Sequence, residues 1–304
     1  MQCVCPDIAP VLSCPHVDAI LYIIMYKKIL VAVNEFINSE IAARYALALA
    51  KACRSRLFLV FAAEEVIGQS AFHHAEEALL RLFAAAEGMG IEVESSTVKG
   101  APFKTISDVV REHGIDLVFT ATRREDIQRR FYVRTHAREF MMKLPCSVAM
   151  VRVVEMGRTH PRNILVPLKG HLSQVEERAY FTAKLAQGLN ARTTLLHLPG
   201  PVTGLLQNWE QERYSGPDKH TAKGVEDFIS HLKQYKVQHE RRTAQGSVAR
   251  SITTEAAFRK NDLIIMGASE RGLFKSLLRD NPVEEVLRET PCNLIVFRPG
   301  RKRP

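Results

Sequence analysis

The chain carries one long unit twice, and that repetition constrains its fold more than any other feature. The segment DLVFTAT (Asp116 to Thr122), followed by LPCSVAMVRV (Leu144 to Val153), returns as DLIIMGA (Asp262 to Ala268) and TPCNLIVFRP (Thr290 to Pro299). Both pairs share one offset (262 − 116 = 146 and 290 − 144 = 146). An earlier pair, ILVAV at Ile29 and ILVPL at Ile164, has a shorter one (164 − 29 = 135), so the second copy holds about eleven extra residues before its third strand. A unit of this length is a domain, not a solenoid repeat.

With 304 residues the chain has room for roughly two domains of ~150 each. A composition that is 46% hydrophobic and 25% charged is that of a soluble globular protein. No apolar run approaches the ~20 residues needed to span a bilayer; the longest, Ala19 to Met25, is far too short. The formal charge of +9 favours anionic partners such as nucleotides, nucleic acid or a membrane surface, without choosing among them. Part of that charge sits in the basic tail at 300–304, which reads as solvated.

The six cysteines form no disulfide framework. Cys146 and Cys292 occupy the same repeat position, after a proline at the start of a buried strand, where a small hydrophobe fits. Cys53 ends an apolar helix. Cys3, Cys5 and Cys14 lie near His16 in a leader, 1–24, but their spacing is not one of the well-attested zinc patterns. That leader lacks the basic start and apolar stretch of a signal peptide, and Met25 opens a natural first strand. The leader reads as disordered or as an upstream over-extension of the start. A reduced, cytoplasmic setting follows.

Each copy alternates β-branched runs with amphipathic helical stretches. In copy one, strands are expected at 29–33, 56–62, 91–98, 116–122 and 147–153, and such apolar runs suit strands buried on both faces of a parallel sheet. Ser39 offers an N-cap to the first helix, whose Ile41, Tyr45 and Leu49 share one face. Further helices are expected from about Phe72 to Glu87, Pro102 to His113 and Tyr132 to Lys143. Copy two begins its strands at Ile164, Arg192, Val237, Asp262 and Asn293. Its second helix bears a core stripe of Val225, Phe228, Ile229 and Leu232, and its extra residues fall in a Pro/Gly-punctuated loop around Trp209. The pattern predicts an α/β fold with two doubly wound domains in tandem, five parallel strands each. The expected division is domain one at 25–154, a linker at 155–161 and domain two at 162–299. In such folds ligands bind at the carboxyl ends of the strands, where strand order reverses. That directs attention to Asn34 and Thr122 onward in copy one, and to Lys169 and Gly267 onward in copy two.

On these residues the chain resembles the universal stress protein family from Met25 to Pro299, in tandem. The resemblance rests on the first strand, the D-L-[IV] fourth strand, the [LT]-P-C closing strand and the ending Pro282 to Pro299. It implies a flavodoxin-like, adenine-nucleotide α-hydrolase-like sandwich. Family members that bind ATP carry G-x2-G-x9-G-[ST] after the fourth strand and an Asp ending the first. Glycines there let backbone N–H groups close around phosphates, and the hydroxyl residue adds a donor at a helix N-terminus. This chain departs from that pattern. Copy two keeps Gly267, but Glu270 and Asp280 stand at the other glycine positions, Asn281 at the hydroxyl position and Lys169 for the Asp. A carboxylate ~4 Å from a phosphate repels it by about 1 kcal/mol in water and severalfold more when desolvated, so copy two is not expected to bind ATP. Copy one holds Ala121, Arg124 and Arg134 at the glycine positions, keeps the hydroxyl as Thr135, and has Asn34 for the Asp. Guanidinium groups hold phosphate without a glycine cradle, and Arg123, Arg124, Arg129, Arg130 and Arg134 crowd that region. Arg130, Arg134 and Arg138 also fit one solvated helix face. The candidate nucleotide- or anion-binding residues are thus Asn34, Arg123, Arg124, Arg134 and Thr135, with Gly267 and Asn281 in copy two.

Catalytic motifs are absent: there is no H-E-x-x-H, G-x-S-x-G, C-x2-C or G-x4-G-K-[ST]. His73, His74 and Glu76 read as a polar helix start. The expected protein is non-enzymatic, a cytoplasmic stress-response protein without a resident cofactor, with ATP or AMP in copy one as the alternative. The resemblance also implies that the last strands of the two domains pair antiparallel within the chain, which would cover two exposed sheet edges, with a homodimer as further assembly. A second reading is a regulatory module for a membrane cation antiporter or amino-acid permease, since the ending of copy two resembles universal stress domains attached to such transporters. Single-stranded nucleic acid is not an expected partner, because only Phe131 and Tyr132 accompany the arginines.

Overall fold

A computed structural model describes residues 25–122, 135–169, 172–198, 218–268 and 282–300. In copy one the order is β1 (Lys28–Val33), α1 (Ile37–Cys53), β2 (Arg56–Ala63), α2 (Gln69–Gly88), β3 (Val93–Lys99), α3 (Pro102–His113), β4 (Leu117–Thr122), α4 (His136–Lys143) and β5 (Ser147–Arg152). Copy two repeats it: β6 (Asn163–Lys169), α5 (Val175–Leu189), β7 (Arg192–Leu198), α6 (Asp218–Gln234), β8 (His239–Thr243), α7 (Val248–Phe258), β9 (Leu263–Gly267), α8 (Pro282–Glu289) and β10 (Asn293–Arg298). The leader cysteines, Trp209 and the residues at 301–304 lie outside the described residues.

All ten strands form one sheet, ordered β3-β2-β1-β4-β5-β10-β9-β6-β7-β8. Pairing within each half is parallel. The halves join where β5 meets β10 antiparallel, with Val151 opposite Ile295 and Ala149 opposite Phe297. The two closing strands therefore cover each other's edges, as the family resemblance implies. Because this junction is antiparallel, the carboxyl-end crevices of the two copies open at opposite rims of the sheet.

Each face of the sheet carries a core that runs through both halves. On one face α1 packs against α5, and Phe181 of copy two stacks on Phe297 at 4.1 Å between centroids while meeting Phe119 of copy one at 6.2 Å. The stripe Val225, Phe228, Ile229 and Leu232 is buried as its spacing predicts.

The aspartates of the repeated D-L-[IV] motif have a structural task. Asp116 Oδ2 accepts from the backbone N–H groups of Lys27 and Lys28 at 2.8 and 2.9 Å. Asp262 Oδ2 does the same for Arg162 and Asn163 at 2.9 and 3.0 Å. Each pins the entry of the neighbouring first strand, whose N–H groups would otherwise lack partners.

Two expectations need correction. Ser39 is not the N-cap of α1: the helix starts at Ile37, with Phe36 extended before it and no side-chain cap bond. Ser39 lies buried in the first turn, where Oγ accepts from the N–H of Asn34 at 3.1 Å and donates back to carbonyls there. The tight turn after β1 needs that hydroxyl inside it. β3 is also not buried on both faces. It is an outer edge strand and mostly exposed, as its polar Glu94, Ser95, Ser96 and Thr97 allow.

Candidate functional site

The crevice of copy one opens at the carboxyl ends of β1, β2 and β4, where the strand order reverses. It encloses about 470 Å³, and Asn34, Ala121 and Thr135 all line it. Both candidate polar groups there have local duties. Asn34 Oδ1 accepts from the N–H of Phe36 at 3.0 Å, an Asx turn that shapes the entry to α1. Thr135 caps α4, its Oγ1 accepting from the N–H of Arg138 at 3.3 Å. Asn38 ties α1 to the end of β4 through Nδ2, which donates to the Thr122 carbonyl at 3.1 Å. The lining also holds two carboxylates, Glu35 and Glu64, and His136 Nε2 stands 3.4 Å from Glu64 Oε1. Arg123, Arg124 and Arg134 lie outside the described residues, as do Glu270, Asp280 and Asn281.

The crevice of copy two opens at the other rim, at the ends of β6, β7 and β9, and encloses about 220 Å³. Gly267 and Lys169 line it, against walls that include Leu168, Phe228, Ile252 and Met266. The third of the described candidates, Gly267, is thus separated from Asn34 and Thr135 by the width of the sheet.

Sequence reasoning missed the residue that dominates this second crevice. Arg178, on the first turn of α5, is only 8% exposed. Its Nε donates to the Ser173 carbonyl at 2.8 Å and its Nη2 to the Ala268 carbonyl at 2.7 Å. Nη1 lies against the face of Gly267 so closely that a Cβ there would collide with it. Burial pushes the guanidinium down to about 10, with Glu177 and Tyr26 opposing that shift. The signal was present in the repeat. At the offset of the two helix C-caps (190 − 54 = 136) Arg178 aligns with Ala42 (178 − 136 = 42), a wholly buried alanine of α1. A helix position that is core in one copy and arginine in the other is worth scrutiny.

Among the described residues no helix is long and apolar enough to cross a membrane, and no cluster of His, Cys, Asp or Glu is placed to hold a metal ion. His73 Nε2 meets Glu77 at 3.1 Å on exposed helix surface.

The model of the Universal stress protein family matches the chain twice, over residues 25–152 and 161–298. No curated protein matches it. Among solved structures, the chain is similar to a universal stress protein from Archaeoglobus fulgidus DSM 4304, at 14% identity over 91% of this chain and 97% of that one, TM-score 0.61. It is similar to a functionally unknown protein from Pseudomonas aeruginosa PAO1, at 16% identity over 91% and 94%, TM-score 0.61. It is also similar to the cytoplasmic domain of a prokaryotic cation chloride cotransporter, at 10% identity over 89% and 93%, TM-score 0.51. Identities this low speak to fold alone.

Proposed function

Because the chain belongs to the universal stress protein family, we propose that it is a non-enzymatic cytoplasmic stress-response protein whose second domain has given up ATP. In this reading domain one spans 25–154 and domain two 162–299. One observation carries it: the guanidinium of Arg178 occupies the face of Gly267, where a phosphate would need to approach the backbone. A phosphate entering would have to displace Arg178 from two carbonyls and then meet Glu270 and Asp280 at the remaining glycine positions.

Any nucleotide binding then belongs to copy one. There Asn34 and Thr135 line an open crevice, and Arg123, Arg124 and Arg134 supply the positive charge. Calorimetry with ATP and AMP on the wild type and on Arg124→Glu tests this half of the reading. Binding weakened by the charge reversal supports it, and identical heats for both proteins overturn it. For the other half, small molecules released from freshly purified protein are weighed by mass spectrometry. Stoichiometric ATP that survives removal of domain one would defeat the proposal.

A second reading is a regulatory module acting on a membrane transporter. The fold likeness to a cotransporter cytoplasmic domain supports it, as does the charge of +9, which suits an anionic surface. Recovery of a cation antiporter or amino-acid permease with the chain from solubilised membranes would favour this reading over the first.

A further inference from the structure

We propose that the copy-two crevice is a binding site for a small apolar monocarboxylate, held by the guanidinium of Arg178 with Lys169 at its mouth. The proposal rests on the reading that this domain no longer grips a triphosphate, and it names what takes the vacated place.

The first argument is charge. Arg178 is more than nine-tenths buried, yet both of its hydrogen bonds go to neutral backbone carbonyls. Among the described residues no carboxylate pairs with it, and its two carbonyl bonds use Nε and Nη2, leaving Nη1 against Gly267 in the crevice. Burying a cation without a counter-ion is costly, and chains that keep one in the interior normally supply its anion. None of the described residues supplies it, and Glu270 and Asp280 lie outside them. Among the described residues Lys169 likewise has no acidic partner, and no aspartate or glutamate lines the crevice. The crevice of copy one is the opposite case, lined by Glu35 and Glu64 and with Ala42 in place of the arginine.

The second argument is shape and polarity. Apart from Lys169, Ser173, Arg178 and Thr182, the lining side chains are apolar, with Leu198, Phe228, Ile252 and Met266 among them. A volume of about 220 Å³ falls below the roughly 300–1,000 Å³ of pockets for drug-sized ligands. One buried guanidinium within apolar walls of that size matches a carboxylate on a short branched or aromatic body. Phosphate has no apolar portion to fill the walls, and a nucleotide is too large. The carboxylate would accept from Nη1 in a charge-assisted hydrogen bond, and the ammonium of Lys169 would strengthen it.

The test is calorimetry on the full chain with 3-methylbutanoate and phenylacetate as probes, inorganic phosphate and ATP as comparison ligands, and Arg178→Ala and Lys169→Ala as variants. Saturable binding of at least one probe, one per chain, is expected, with a loss of roughly 10-fold or more in Arg178→Ala and a smaller loss in Lys169→Ala. Phosphate should bind at least ~10-fold more weakly than the better probe. Alanine already stands at the counterpart position in copy one, Ala42, and Lys169 is exposed, so at least one variant reports on binding in a folded protein. No saturable binding of either probe overturns the proposal, as does unchanged affinity in both variants or a preference for phosphate. Tight ATP binding in the C-terminal half would instead overturn the functional reading beneath it, so the two failures are distinguishable.

Discussion

Arg152 and Arg298 are counterparts in the repeat (298 − 152 = 146), and each reaches across the boundary between the halves to backbone on the other side. Arg298 Nη2 donates to the carbonyls of Leu144 and Cys146, both at 2.8 Å. Arg152 Nε donates to the carbonyl of Leu287 at 3.4 Å. Ser147 and Asn293 are a second reciprocal pair: Ser147 Oγ accepts from the N–H of Gly300, and Asn293 Oδ1 from that of Val154, both at 2.8 Å. The join is thus a polar clasp made twice around an apolar strand pair.

Arg298→Met should therefore cost more than Arg152→Met. It strands one buried and one part-buried carbonyl that accept from a charged donor, about 2–4 kcal/mol in total. The longer bond of Arg152 leads to a smaller expected loss, about 1–2 kcal/mol. Urea denaturation of both variants checks the order as well as the sizes.

Gly188→Ala should destabilise the protein although alanine is the better helix former. A Cβ at Gly188 would strike the carbonyl of Ala48, where α5 crosses α1. Propensity alone favours the substitution by about 1 kcal/mol, whereas forcing packed helices apart costs about 1–3 kcal/mol. A net fall in thermal midpoint is expected. A rise would mean that the helices are not in this contact.

Asp116→Ala and Asp262→Ala each free two strand-entry N–H groups. Asp262 also pairs with Arg158. Each loss should be about 1–3 kcal/mol, larger at the more buried Asp262. Amide exchange should speed up locally at Lys28 and Asn163, the pinned positions.

Burial raises the thiols of Cys146 and Cys292 to about 12, and that of Cys53 to about 11, from an ordinary 9.0. The folded protein therefore favours the protonated thiols. Their contribution to stability is whole below pH 9, where both states keep the proton. It is lost as pH rises through 9 toward 12, because only the unfolded chain ionises there. Urea midpoints should fall between about pH 8 and pH 10, and less steeply in a variant with all three replaced by alanine. In the native state, site-mapped alkylation should spare these three positions.

Arg178→Met should leave the ligand-free protein as stable as the wild type or more so, by up to about 2 kcal/mol, since an uncompensated buried cation gives way to an apolar chain. The contrast with Arg298→Met follows from location. Arg178 lines an open crevice where water can reach the carbonyls it releases, and Arg298 lies sealed at 2% exposure. A large loss of stability at Arg178 would show that its carbonyl bonds, not an absent ligand, explain its burial.

Much of this architecture is legible in the residues. The repeated D-L-[IV] and P-C strands locate β4, β5, β9 and β10, and the pairing of β5 with β10 is what the family resemblance implied. The crevices at the carboxyl ends follow from the reversal of strand order in doubly wound sheets, although the amino-end rim is concave as well, with a cavity of about 630 Å³ lined by Asn163, Ala191 and Arg192. A serine before an apolar face reads as a cap, and only the turn from Asn34 shows that Ser39 lies three residues past the cap position, Phe36. Arg178 escaped notice because a lone arginine on a helix ordinarily points to water.

The sequence by itself determined the two copies, their α/β winding and the loss of the phosphate-gripping glycines, since these depend on periodicity and on residue type. Only the tertiary structure decided which groups meet across distance: Arg298 with Leu144, Gly188 with Ala48, and Arg178 with Gly267. Such contacts join positions tens to hundreds of residues apart, and the alternation of apolar and polar residues does not record which helix faces which. The charge in the second crevice became visible for that reason only once the chain was folded.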